Sequence, residues 1–118
     1  MPEDSIRTRR VAELLRHEIA SIILNDIHDL KVRDAVITGA KVTKDLSTAR
    51  IYFTSYNKDA LPYIETSLNQ SAGFIHKLLK GKVYLKKLPR IIFERDITSE
   101  RVEHLDELFR QLKKEDSA

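Results

Sequence analysis

Residues 59–80 read DALPYIETSLNQSAGFIHKLLK, and the architecture follows from how this stretch is built. Leu61, Ile64, Leu68, Ala72, Ile75 and Leu79 recur at steps of three and four, the spacing of one helical face. Pro62 falls in the first turn, where a missing N–H costs nothing. In the middle stands Ser71-Ala72-Gly73. A glycine inside a helix costs about 1 kcal/mol relative to alanine, and Gly with Ser is a usual cause of a sharp kink. The sequence therefore predicts a helix over 59–80 that bends at 71–73, or two helices that meet there. Gly81 reads as its C-cap.

Upstream, Val11, Leu15, Ile19, Ile22 and Ile23 form a stripe at helical spacing, which predicts a helix over 5–25 with Asp4 or Ser5 as N-cap. Residues 26–35 read as an irregular connection. Residues 36–43 and 48–56 read as strands around the polar turn Lys44-Asp45-Leu46-Ser47. Val36, Thr38, Ala40 and Val42 alternate with Ile37, Gly39, Lys41 and Thr43. In the second strand Ile51 and Phe53 oppose Arg50, Tyr52 and Thr54. One face of this hairpin covers a core and the other is polar. Downstream, Pro89 precedes a third strand over Ile91-Ile92-Phe93. Residues 99–113 read as a last helix, capped by Ser99, with Val102, Leu105, Phe109 and Leu112 on one face. The order is α-β-β-α(kinked)-β-α, an α+β fold in which helices cover one face of a three-stranded sheet.

The chain has 118 residues, enough for a single domain over 1–118 that buries roughly 65% of its unfolded surface. About 1–4 and 114–118 are expected to be flexible ends. Cysteine is absent, which excludes disulfides and thiolate metal sites and fits a reducing, cytoplasmic setting. The start of the chain turns basic without an apolar leader, and uninterrupted apolar runs such as Ile22-Ile23-Leu24 are too short to span a membrane.

The net charge of +3 hides an uneven distribution. Residues 66–93 hold Lys77, Lys80, Lys82, Lys86, Lys87 and Arg90 and no acid. Residues 1–65 carry ten bases and ten acids, and residues 94–118 carry five and eight. Such a block suits a polyanion, most commonly nucleic acid. At the bend, Gly73 permits close approach of a phosphodiester chain, and the helix restarting there offers N–H groups to phosphate. Lys77 and Lys80 follow on one face. The other reading is that Gly73 only allows close packing and the lysines are a solvated face. Arg7, Arg9 and Arg10 oppose the dipole of the first helix, at about 0.3–1 kcal/mol each, a penalty that a polyanion would remove. A frayed first turn accounts for them too. Lys41, Arg50, Tyr52 and Thr54 line the open sheet face, but an isolated Tyr52 is a poor stacking platform and a half-exposed tyrosine on a hairpin is ordinary.

Catalysis has little support. His28-Asp29 lacks further ligands at compatible positions, and His17 and His104 adjoin acids on helical faces. There is no nucleophile elbow and no glycine-rich phosphate loop. The sequence therefore predicts a non-enzyme without metal, cofactor or small-molecule substrate. An adaptor that docks the final helix in a partner's groove remains an alternative; its affinity would survive added salt, whereas RNA binding would not.

Four segments in order resemble the ribosome-binding factor A family, over roughly residues 7–109. They are Arg10-Val11-Ala12-Glu13-Leu14-Leu15 with Glu18-Ile19-Ala20-Ser21-Ile22-Ile23; Val42 to Tyr52 with its Asp45-Leu46-Ser47 turn; Leu68 to Ile75; and Leu85, Pro89, Phe93, Asp96, Glu100 with Leu105-Asp106-Glu107-Leu108. The resemblance implies a type II KH-like fold in which an Ala-x-Gly kink replaces the GxxG loop. Ser71-Ala72-Gly73 fills that place, with serine for the first alanine. Asp29-Leu30-Lys31 stands where the family commonly has Asp-Pro-Arg. By resemblance the protein is a monomeric, non-catalytic assembly factor. It would bind the free 30S subunit and its 16S rRNA, assist late rRNA maturation, and leave before the large subunit joins. A general KH-type RNA-binding protein is the broader alternative.

Overall fold

The computed structural model describes residues 5–98, 110 and 112. In chain order it contains α1 (Ile6–Asp26), α2 (Leu30–Arg33), β1 (Val36–Val42), β2 (Thr48–Thr54), a 3-10 turn (Lys58–Ala60), α3 (Leu61–Gln70), α4 (Ala72–Lys82) and β3 (Arg90–Arg95). The expected last helix, 99–113, falls outside the described residues except for Arg110 and Leu112, both helical.

Ser5 starts α1 through a reciprocal cap. Its hydroxyl accepts the Thr8 N–H at 3.1 Å, and the Thr8 hydroxyl accepts the Ser5 N–H at 3.0 Å. The predicted stripe is the buried one: Leu15, Ile19 and Ile22 are fully enclosed, with Val11 and Ile23 beside them. The 26–35 connection is more regular than expected. Asp29 accepts the Lys31 and Val32 N–H groups and nucleates a one-turn helix, so the cap makes the turn without proline.

The sheet order is β1-β2-β3, with β1 antiparallel and β3 parallel to β2. A parallel neighbour needs a crossover connection, and α3 with α4 supplies it. Ala49, Ile51 and Phe53 of β2 and Ile91 and Phe93 of β3 point into the core beneath α1, α3 and α4. Each isoleucine and phenylalanine among them contributes about 1.5–3 kcal/mol by burial. The simple alternation expected of β1 is broken. Ile37 pairs with Phe53 and Gly39 with Tyr52, so Thr38 is an extra residue in a bulge. The bulge returns Ile37 to the inner face with Ala40 and Val42 and leaves Val36 41% exposed.

Two helices meet at the predicted bend. Ser71 alone separates them, with φ −86° and ψ −1°. Gly81 is not a C-cap: α4 runs through it to Lys82 and ends at an extended Val83. The terminator is the passage into an extended segment, held by Val83, Leu85 and Leu88 packing on the core.

Candidate nucleic-acid interface

The Ser71 N–H donates to the Ser67 carbonyl at 3.0 Å, and the Ser71 carbonyl accepts the Ile75 N–H at 2.9 Å. One residue thus closes α3 and opens α4. No side chain caps α4 at this joint. Asn69 braces it from below. Its amide donates to the Phe93 carbonyl at 3.0 Å and its oxygen accepts the Phe93 N–H at 2.9 Å, a two-way clamp between α3 and the outer edge of β3.

From the joint, Gly73, Lys77 and Lys80 follow at steps of four and three and share the solvent side of α4, while Ile75 and Leu79 face the core. All three are exposed. Ser71 and Ala72 are half-buried at the base of the stripe. Gly73 is not required by the backbone: its φ is negative, and an added Cβ would meet nothing within 4 Å. The junction lies at Ser71, inside the predicted 71–73 step, and the alternative reading of close packing at Gly73 is not met, since that glycine has no close neighbour.

An open groove of about 620 Å³ runs beside the stripe, lined by Asn69, Ala72, Gly73, His76, Arg90 and Ser47 among others. Arg90 enters it because its N–H donates to the Ser47 carbonyl at 2.9 Å, which ties the start of β3 to the hairpin turn. That turn is rigid. The Asp45 carboxylate accepts from the Ser47 hydroxyl at 2.7 Å, the Thr43 hydroxyl at 2.8 Å and the Ser47 N–H at 3.1 Å. These bonds, the Ser47 hydroxyl first, lower its pKa to about 2, with help from the nearby Lys87 charge. Leu46 takes the positive φ of 58° that the turn needs.

On its other side the same turn borders a second groove, where Arg7 meets Asp45, Leu46, Leu85, Lys86 and Lys87. Arg7 and the 86–87 pair, far apart in sequence, thereby flank one turn. Not every basic residue joins them. Arg9 lines a separate groove with Thr38 and Gly39, and Arg10 is exposed one step further round α1. Lys82 turns toward α1 and pairs with Asp26 at 3.8 Å. Lys77, Lys80, Lys86 and Lys87 make no ion pair among the described residues.

On the open sheet face Arg50 is engaged by Glu94 at 3.7 Å, which weakens that face as an anion clamp. Asp29 is likewise occupied: beyond capping α2, it accepts the Tyr63 hydroxyl at 2.5 Å. That bond chiefly holds its carboxyl below the usual range and raises the Tyr63 hydroxyl. Tyr84, not among the residues that the sequence pattern singles out, stands fully exposed inside the basic block. Its signal was an aromatic between Lys82 and Lys86.

A hairpin and a parallel third strand, with two helices joined by one residue as the crossover, define a KH-like α+β module, here with cations gathered beside the joint. The comparisons with known proteins agree. The family described as ribosome-binding factor A matches residues 7–109. A ribosome-binding factor A from Nitrosomonas eutropha is 37% identical over 103 residues, 86% of this chain and 87% of that protein. The crystal structure of ribosome-binding factor A from Thermus thermophilus superposes with a TM-score of 0.67 at 17% identity, over 75% of this chain and 93% of that one. Thermus thermophilus coordinates fitted into a cryo-EM map of a 30S complex superpose with a TM-score of 0.61 at 17% identity, over 74% and 92%. The chain belongs to the ribosome-binding factor A family.

Proposed function

We propose that this protein binds the free 30S subunit through 16S rRNA, as a monomer in the cytoplasm, and assists late rRNA maturation without catalysing a reaction. The Gly73–Lys77–Lys80 stripe carries the reading: exposed cations, without ion-pair partners among the described residues, begin at an uncapped helix joint and continue toward Arg90, Lys86, Lys87 and Arg7 around the 44–47 turn. Positive charge in that density favours phosphate, and an uncapped helix start adds N–H donors of the same polarity. Family membership supports a ribosomal partner, and a relative of the same fold has been placed in a 30S complex. Phosphate contacts fix position and carry no sequence code, so the chain would recognise rRNA by charge and shape.

The test is co-sedimentation with free small subunits and with complete ribosomes. The parent protein pellets with free subunits in preference to complete ribosomes. Lys77→Glu with Lys80→Glu loses that association while circular dichroism stays unchanged, because both side chains lie in solvent. A double variant that pellets like the parent would overturn the basic-face reading.

A further inference from the structure

We infer that Tyr84 is a stacking site for one unpaired nucleobase, beside the phosphate-binding face. The inference rests on the proposed RNA-binding function and adds a base contact to it. Three observations carry it. Tyr84 has a relative accessibility of 104%, so its ring covers no part of the protein. The backbone that carries it is nevertheless held in place. Val83 is extended, and Val83, Leu85 and Leu88 pack on the core, so the chain between α4 and β3 is pinned on both sides of Tyr84. Val83 and Leu85 turn inward while Tyr84 between them turns outward, and the chain then bends at Lys86 and Lys87. Finally, the neighbours are cationic. Lys80 precedes the ring on the last turn of α4, and Lys86 and Lys87 follow it into the groove shared with Arg7.

An exposed aromatic ring on a fixed backbone, bracketed by lysines that hold the phosphates, is what base stacking requires. Tyrosine has few rotatable bonds, so ordering it costs little entropy. Tyr52 differs: it is half-buried on the sheet, beside the Arg50–Glu94 pair. Tyr56, 96% exposed before α3, lies outside the acid-free block and serves as the control.

Binding is measured at low salt to a short oligoadenylate and to an abasic ribose–phosphate chain of equal length. Tyr84→Ala weakens oligoadenylate binding roughly 5- to 150-fold and leaves the abasic chain unaffected. Tyr84→Phe and Tyr56→Ala bind both like the parent. The sequence has no tryptophan, so Tyr84→Trp gives a lone reporter whose fluorescence is quenched by oligoadenylate and not by the abasic chain. If Tyr84→Ala holds oligoadenylate as tightly as the parent, or loses both ligands equally, stacking is overturned while the basic-face reading stands. If the parent binds neither chain nor the small subunit, both fall.

Discussion

At position 73 a methyl group would meet nothing within 4 Å, and the backbone there is that of an ordinary helix. Glycine is therefore a cost to α4 that no close neighbour requires, and the proposed function offers phosphate approach as its compensation. Gly73→Ala is expected to raise stability by about 0.5–1 kcal/mol, read from the urea midpoint, while weakening association with the small subunit. Asp45 has the opposite character, since every bond it makes is spent inside the 43–48 turn. Its folded pKa of about 2 lies below the unfolded value near 3.8. The stability it contributes is thus fully present above pH 3.8 and is lost as pH falls toward 2. Urea midpoints at several pH values should show this loss in the parent and not in Asp45→Asn. The two residues differed in legibility. The turn was readable from Asp45-Leu46-Ser47, whose side chains bond their own backbone. That Gly73 is free of steric demand was not, because it depends on how much space the neighbouring elements leave.

The helix pair α3–α4 is an element whose local sequence sets its periodicity and whose angle is set elsewhere. Steps of three and four located both helices, and Ser71-Ala72-Gly73 located their joint to within two residues of Ser71. The brace came from Asn69, which reaches across 24 residues to both backbone groups of Phe93. A contact of that separation leaves no trace in a local pattern. It also satisfies part of the free edge of β3, which would otherwise offer unpaired N–H and C=O groups. Asn69→Ala removes both bonds and is expected to cost about 1–2 kcal/mol in urea denaturation. A variant as stable as the parent would show that water replaces the clamp. The same limit hid the bulge at Thr38, where alternation pointed one way and the register with Phe53 and Tyr52 imposed another. It also hid the true end of α4, where a glycine suggested a cap but Val83 and Leu85 packing carried the chain into an extended path.

Over the whole molecule, the fold sorts one basic block into distinct roles. Lys77 and Lys80 line the outer stripe, Lys86 and Lys87 join Arg7 across the hairpin turn, and Lys82 pairs with Asp26. If about five phosphates are neutralised on single-stranded RNA, log K should fall with log salt at a slope of about −3.5. Each stripe lysine changed to glutamine should make that slope shallower by about 0.7, whereas Lys82→Gln should leave it nearly unchanged. Fluorescence anisotropy across a salt series measures both. Local sequence located α1, the hairpin, α3, α4 and β3, the core-facing stripes of the three long helices, the joint and the excess of positive charge, but not α2 or the bulge in β1. Each feature so located is written in residues a few positions apart, within reach of helical or strand periodicity. Packing in three dimensions set which cations face the same way, which of them pairs with a carboxylate, and which aromatic stands clear of the core. Those outcomes depend on distances between residues tens of positions apart, and such distances are set by how helices pack on a sheet rather than by any local preference.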